Sequence, residues 1–459
     1  MCKFVEWCVR LLSRLRNFGL DFSVATLNFL ANIGIVLPYV LILFKYQQTH
    51  SVNYLVAIIV FYVARAASVF GTKHLGLKAS NYLLICLWLG VFGSLLFSIT
   101  SNLIAVIIGA LCLGYTSANI WPYYLTIKLH LSQSTDFKLK QMYWLIFLGL
   151  GLLFGLDFWL DLQYRLAFVL LALLFVIAIP AGHLLNQFSL AFYDEHAAGQ
   201  AHPVKIWRVV VFIAFFAVIA LLTLLRKISL TIALPYVLGI IVIAIILLNI
   251  ELAADWKFMP ANKVRILNRG FLLSFVLLFN SFFGYFMFGT KGMYLVFALY
   301  LLGFEGGRPL YLAIAPNKQR ATQLANGGLI LGHLLALTTI PALYAVGLLL
   351  IAMAIGFENP AINDSVYAAE KNDPDLAIIH KYRFSTYGGL LCQLCFFGLL
   401  VTVSAVNHLK LMAFFNPSNP GLKSSYQMGM AWPLVGISLV ITLINLYGQH
   451  HQASKDLAA

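Results

Sequence analysis

The sequence predicts an all-α polytopic membrane protein, and its composition and its long apolar segments are the two observations behind that prediction. Of its 459 residues, 61% are hydrophobic and 10% are charged, and the mean hydropathy is +0.89. Soluble domains carry about 25% charged residues, so the composition excludes an ordinary soluble domain. The sequence lacks the alternating strands of about ten residues that build membrane barrels, which leaves helices as the spanning elements.

Thirteen apolar segments are long enough to cross the bilayer, which takes about 20 helical residues. In chain order they span 21–44, 53–72, 81–100, 103–127, 141–160, 164–184, 207–225, 228–250, 266–288, 291–314, 327–356, 385–407 and 425–447. Residues 1–20 are predicted to form a basic amphipathic helix on the cytoplasmic membrane surface. A signal peptide is disfavoured there, because no small-residue cleavage site follows a compact apolar core.

The distribution of basic residues predicts a cytoplasmic N-terminus in a bacterial plasma membrane. With thirteen helices, 19 of the 30 Lys and Arg residues lie inside, 9 lie outside, and Arg65 and Arg308 lie within the membrane. The acidic stretch from Glu358 to Arg383 is then an external loop, and the tail after Gln449 is external too. The net charge of +14 indicates attraction to anionic membrane lipids, and no nucleic-acid partner is expected.

An internal repeat divides the chain. The segment Leu113–Ile127, which contains Pro122, recurs two residues shorter as Leu302–Ile314, which contains Pro309. The two prolines lie 101 and 102 residues after the predicted starts of helices 1 and 7, so helices 1–6 map onto helices 7–12. Parallel duplication of a helical unit is how a large class of secondary transporters is built.

The repeat predicts five regions along the chain. They are the cytoplasmic N-terminus 1–20, a six-helix bundle 21–184, a cytoplasmic linker 185–206, a second six-helix bundle 207–408, and a thirteenth transmembrane helix with a tail, 409–459. In this arrangement residues 207–250 belong to the second bundle and are not a central hairpin between the bundles.

This pattern resembles the major facilitator superfamily over residues 21–408. The loop from Gly71 to Lys78 keeps glycine and basic residues of that family's motif between helices 2 and 3 but lacks its acidic residue, and helix 5 lacks the Gly-Pro pair of drug antiporters. The resemblance implies a 6+6 parallel-repeat helical bundle with an extra thirteenth helix. It also implies that helices 1, 4, 7 and 10 line a central cavity that opens alternately to the two sides.

The predicted site consists of the intramembrane polar residues that this resemblance places at or near the cavity. They are Asn28, Asn32, Arg65, Thr116, Asn119, Trp121, Tyr123 and Arg308. A sparsely polar, aromatic-rich cavity favours a small amphiphilic organic solute. Pro122 and Pro309 are predicted to kink their helices.

Glu305 is the predicted proton-coupling residue. It is the one carboxylate that the predicted boundaries place well within a helix, and ionisable groups inside a bilayer are functional candidates. Arg308 follows three residues later, so a purely structural ion pair is an equally good interpretation. Arg65 either binds an anionic substrate group or extends towards the membrane interface.

The predicted function is therefore proton-coupled secondary transport by a monomer, not enzymatic catalysis. Partners are a small-molecule substrate, protons and membrane lipids, and no metal or cofactor is expected. Three alternatives stay open: a lipid or glycan-lipid flippase of the same fold, a membrane-embedded transferase, and a non-transporting receptor or scaffold. The sequence contains no G-x-x-x-x-G-K phosphate-binding loop, so ATP does not drive transport through this chain.

Overall fold

A computed structural model describes most of the chain as helix. The described residues are 19–32, 34, 37–49, 51–72, 77–134, 151, 155–157, 159–162, 164–196, scattered positions from 210 to 250, 262–338, 340–369, 374–406 and 421–458, and none of them forms a strand. The predicted surface helix at 1–20 and most of predicted helices 5, 7 and 8 lie outside them. The chain forms two compact units, which we describe separately.

The first unit comprises residues Met1–Leu224 and Lys371–Ile379. Its helices are α1 (Gly19–Asn32), α2 (Leu37–Thr49), α3 (Val52–Thr72), α4 (Ala79–Ile99), α5 (Leu103–Ser134) and α6 (Arg165–His196). α1 and α2 meet at a bend of 63°. α5 packs against α3 and α4, and α4 also packs against α6.

The second unit comprises Leu225–Glu370 and His380–Ala459. Its helices are α7 (Lys263–Ser274), α8 (Asn280–Ile314), α9 (Lys318–Ala336), α10 (Pro341–Ala369), most of α11 (Pro374–Val406), α12 (Gly421–Tyr426) and α13 (Trp432–Ala458). Two π-helical turns, Phe275–Phe279 and Gln427–Ala431, join α7 to α8 and α12 to α13. α8 is broken at Gly289, where φ is +71°.

The multi-pass membrane prediction is confirmed. Among the described residues, eight helices are long and apolar enough to cross a membrane, or nine if the bent pair α1–α2 forms one span. Most predicted boundaries are close to those observed. The predicted helix 81–100, for example, is α4, Ala79–Ile99.

The predicted single helix at 327–356 is wrong, because the chain folds there into α9 and α10. The backbone N–H groups of Leu337 and Thr338 donate to the carbonyls of Leu334 and Leu335, which ends α9 in a tight turn. Pro341 then begins α10, at the position where a missing N–H costs nothing. Two of the four connecting residues are apolar, two are threonines and none is charged, so hydropathy alone does not reveal the break.

The predicted opposite sidedness of residues 257–269 and 358–383 is also wrong. Arg265 Nε donates to Glu358 Oε1 over 2.9 Å, and Ser365 Oγ lies 3.4 Å from Asn262 Oδ1. The start of α7 and the second half of α10 therefore lie at one end of the second unit. Glu358 is helical instead of lying in a loop.

Close glycine contacts give each unit the same internal packing. A Cβ atom added to Gly93 of α4 would lie 2.9 Å from the Gly109 carbonyl of α5, and one added to Gly347 of α10 would lie 2.7 Å from the Gly332 carbonyl of α9. Small residues at such crossings let helix backbones approach closely. Gly109 and Gly347 are therefore candidates for equivalent positions in the two units.

A second glycine contact in each unit shows the same residue spacing between α5 and α10. This spacing changes which prolines of the two units are paired. Gly114 of α5 faces Ala64 of α3, and Ala352 of α10 faces Gly303 of α8. The step along the chain from Gly114 to Ala352 equals that from Gly109 to Gly347. α5 therefore corresponds to α10.

The same offset pairs Pro122 of α5 with Pro360, which lies inside α10. Pro309 lies in α8, whose Gly303 packs against Ala352 of α10. The similar segments around Pro122 and Pro309 thus lie in helices with different neighbours.

Candidate functional site

The predicted polar residues of α1 and α5 form hydrogen bonds within the first unit. Asn32 Nδ2 donates to the Asn28 carbonyl over 2.8 Å and lies 3.4 Å from Asn28 Oδ1. Thr116 Oγ1 donates to the Cys86 carbonyl of α4 over 2.9 Å. Asn119 Nδ2 donates to the Tyr115 carbonyl over 2.9 Å, and its buried Oδ1 has no hydrogen-bond partner among the described residues.

The aromatic members of the predicted site differ in exposure. Tyr123 is buried and stacks on Tyr82 of α4, with ring centroids 4.6 Å apart. Trp121 is half-buried, with its ring 6.4 Å from that of Tyr124. Arg65 is half-buried in α3. These positions neither establish nor exclude the predicted role in substrate binding, which stays a prediction.

Glu305 and Arg308 lie on α8 of the second unit, and both side chains are exposed. No ion pair joins them within the part of the chain that the structure describes. The structural-pair interpretation therefore gains no support from the geometry. The coupling role of Glu305 and the kink at Pro309 stay predictions.

A cluster of buried and half-buried cations in the second unit is the feature that sequence reasoning missed. It consists of Arg265 and Arg269 of α7 and Lys381 of α11, and we call it the cation cluster. Arg269 and Lys381 are buried, whereas Arg265 is half-buried. Lys381 Nζ donates to Asn359 Oδ1 over 2.7 Å and also to Asn363 Oδ1. These two asparagines are one turn apart on α10, so neutral amide oxygens from a neighbouring helix hold the ammonium.

α7 and α11 approach closely at this cluster because glycines lie at their contact. A Cβ atom added to Gly270 would overlap the backbone of Ser385, and one added to Gly388 would overlap that of Leu267. The approach brings Arg269 Nη1 to 3.4 Å from Ser385 Oγ. Arg269 is 6% exposed, and its Nε has no hydrogen-bond partner among the described residues.

Glu358 is the carboxylate partner of the cation cluster. Its Oε1 accepts from Arg265 Nε over 2.9 Å and from Gln449 Nε2 of α13 over 3.0 Å. The Arg265 and Glu358 side chains are 21% and 15% exposed, so this ion pair is partly solvated. One carboxylate therefore links three helices, α7, α10 and α13.

The first unit buries a lysine in another way. Lys45, near the end of α2, is 1% exposed and donates to the Phe97 carbonyl over 2.9 Å. Its Nζ lies 5.0 Å from the centroid of the Tyr54 ring and 5.7 Å from that of the Phe168 ring. Aromatic faces and one backbone carbonyl thus stabilise this cation.

The chemistry of these groups is that of charge binding. Among the described residues, no group of three or more His, Cys, Asp or Glu side chains is arranged to hold a metal ion. His333 is buried, with Nε2 2.9 Å from Ser438 Oγ and Nδ1 2.7 Å from the Leu329 carbonyl. It is a hydrogen-bonded residue within the packing of the second unit.

Comparison with known proteins gives matches at the level of structure alone. No protein-family model and no curated protein sequence matches this chain. A POT family transporter solved with a thioalcohol-conjugated peptide is 14% identical, with 95% of this chain and 96% of that chain covered and a TM-score of 0.49. The nucleoside transporter NupG is 13% identical, with 94% and 99% covered and a TM-score of 0.41.

A bacterial homologue of the human lysosomal transporter Spinster, in an inward-facing and occupied conformation, gives a TM-score of 0.38. It is 13% identical, with 95% of this chain and 96% of that chain covered. Because all three scores are below 0.5, these similarities carry no argument about the fold or the function of this chain.

Proposed function

We propose that the protein is a secondary active transporter of the major facilitator type, which moves a small amphiphilic organic solute across the plasma membrane by alternating access. The observation that supports this proposal is the glycine packing of α3–α5, which recurs in α8–α10 with equal residue spacing between the contact positions of α5 and α10 and a spacing one residue longer on their partner helices. Repeated helical units that rock against each other are the basis of alternating access in such transporters.

The offset also supports new bundle boundaries. The first bundle then runs from α1 to α6, and the second from α7 to α13, residues 263–458. Residues 207–250 then precede the second bundle, in place of the predicted bundle 207–408 and additional helix 409–459.

Two carboxylates of the second unit are candidates for the coupling proton. Glu305 is the predicted carrier, and its side chain is exposed. Glu358 is a second candidate, because it lies inside α10 and already accepts hydrogen bonds from Arg265 and Gln449. Protonation weakens the hold of a carboxylate on a cation, and thereby links proton binding to helix contacts.

Uptake into proteoliposomes tests this proposal. Counterflow of labelled amino acids, dipeptides, nucleosides and aromatic carboxylates identifies a substrate, and an imposed pH gradient then drives its accumulation. Glu305→Gln should abolish accumulation while exchange survives, because Gln keeps size and hydrogen bonding but has no titratable group. Asp364→Asn, which changes an exposed carboxylate of α10, is the matched control.

The outcomes separate the alternatives. Accumulation by Glu305→Gln at the wild-type level, together with its loss in Glu358→Gln, would transfer the coupling role to Glu358. Movement of fluorescent lipid between leaflets without solute uptake would favour a flippase. Failure of the folded protein to move either class would overturn transport and favour a receptor or scaffold.

A further inference from the structure

We propose that Arg265, Arg269 and Lys381 of the cation cluster bind an oxyanion, a carboxylate or phosphate group that belongs to the transported solute. The identity of the ligand as the solute rests on the proposed function. The site itself rests on contacts within the second unit alone.

Three helices direct polar groups to this site in pairs spaced by about one turn. α7 supplies Arg265 and Arg269, and α11 supplies Lys381 and Ser385. Residues four apart on a helix lie on one face, about 5–6 Å apart. Arg269 contacts Ser385, and Lys381 contacts Asn363, so these faces converge on one region.

The third helix, α10, supplies amides and one carboxylate. Glu358 and the next residue, Asn359, bind Arg265 and Lys381 respectively. α10 therefore bridges the cations of α7 to Lys381 of α11. The three cations consequently belong to one site and not to separate surface positions.

The described partners of these cations supply less negative charge than the cations carry. Lys381 contacts two neutral amides, and Arg269 contacts a hydroxyl group. Glu358 is the one carboxylate found in contact with the cluster among the described side chains, and it binds Arg265. Buried cations are normally paired with anions, so Arg269 and Lys381 favour the entry of a further negative group.

Hydrogen-bond donors are available for that group. An ammonium has three N–H donors, and Lys381 uses two of them on Asn359 and Asn363. Arg269 Nε has no acceptor among the described residues. A guanidinium and an ammonium together match the paired oxygens of a carboxylate or phosphate, whereas a neutral solute would leave the positive charge uncompensated.

Ligand-dependent thermal stability of the purified full-length protein tests the site. Benzoate and inorganic phosphate are the anionic probes, and benzamide is the neutral counterpart of benzoate. We expect benzoate or phosphate to raise the unfolding temperature saturably, since a ligand of the folded state stabilises it, and benzamide to have no effect. Arg269→Gln and Lys381→Gln should weaken anion affinity at least tenfold.

Arg320→Gln is the matched control, because Arg320 is an exposed arginine in the first turn of α9, and it should bind anions as the wild type does. Arg269→Lys keeps the charge but loses the planar fork, so it should bind with intermediate affinity even where the Gln variants fail to fold. Equal affinity in the wild type and the Arg269 variants, or equal stabilisation by benzamide, would overturn the proposal.

A lipid headgroup offers the same oxyanion chemistry, and nanodiscs distinguish the two sources. Stabilisation by phosphatidylglycerol over phosphatidylcholine, with no response to benzoate or phosphate, would overturn the assignment to a solute. Transport of a solute without anion binding would overturn this site and leave the transporter standing. Anion binding by a protein that transports nothing would overturn the proposed function and leave this site standing.

Discussion

In the first unit Lys45 donates to a backbone carbonyl and lies against two aromatic rings, whereas in the second unit Lys381 donates to two side-chain amides beside further cations. Lys45 lies near the end of α2, next to the start of α3. Lys381 lies near the start of α11, next to the end of α10. The buried lysines therefore occupy different positions in two units whose glycine contacts correspond.

This difference shows that the residues that hold the helices together are not the residues that bind charge. Glycines determine helix approach in both units, at Gly109 and again at Gly347. The charged residues do not follow the same sequence offset. Helix packing can therefore be kept by a few small residues while the charge chemistry of each unit changes independently.

If the two units correspond as their glycine contacts indicate, α9 crosses the whole membrane. Cysteine labelling from the two sides of the membrane gives an all-or-none test of this crossing. In a cysteine-free background, Asn317→Cys and Ile340→Cys, at the two ends of α9, should react with an impermeant thiol reagent from opposite sides of the membrane. Leu348→Cys, buried within α10, should react from neither side. A continuous helix over 327–356 would instead place Ile340 in mid-membrane and leave it unreactive.

The correspondence of the glycine contacts is tested by adding one methyl group in each unit. Gly93→Ala and Gly347→Ala should each lower the free energy of unfolding by about 2 kcal/mol, because the new Cβ meets a backbone carbonyl and the helices must separate. Thermal unfolding in detergent measures the effect.

Gly327→Ala is the control for these glycine variants, because nothing lies within 4 Å of a Cβ atom at that position of α9. It should be neutral or stabilising by up to about 1 kcal/mol. Destabilisation at Gly347 without destabilisation at Gly93 would show that the two contacts are not equivalent.

The smallest expected effects distinguish the two buried lysines. A double-mutant cycle of Lys381→Met with Asn363→Leu should give a coupling energy of about 2 kcal/mol, typical of a buried hydrogen bond to a charged group. The cycle of Lys45→Met with Tyr54→Leu should give about 1 kcal/mol, typical of a cation–π contact. Equal couplings would remove the distinction between the two sites.

Hydropathy predicts most of the helices of this fold because lipid imposes apolar character on each span separately. The α9–α10 break escapes that signal, since two of the four residues between Ala336 and Pro341 are apolar, two are threonines and none is charged. Pro341 and Pro374 are the sequence features that mark the true helix starts. If α9 crosses the membrane, this one break reverses the predicted side of every later loop.

The candidate site was less predictable than the fold because it depends on contacts between helices. The sequence indicates Glu305 as the one mid-helix carboxylate because the predicted boundaries place Glu358 in a loop. The same boundaries place Asn359 and Lys381 outside the predicted helices. Even with correct boundaries, a single sequence does not show which face of α10 meets α11, so the pairing of Lys381 with its amides requires the structure.

The π-helical turn Phe275–Phe279 lies between the arginines of α7 and the aromatic residues of α8, and Asn280 Nδ2 donates to the Phe275 carbonyl within it over 2.8 Å. A π-turn holds about one residue more than an α-turn, and one residue corresponds to about 100° of rotation around a helix. Deleting a residue here would restore α-geometry and turn Arg265 and Arg269 by that angle relative to α8. Single-residue insertion or loss at this turn is thus a route by which evolution can redirect two cations as a pair without redesigning either helix.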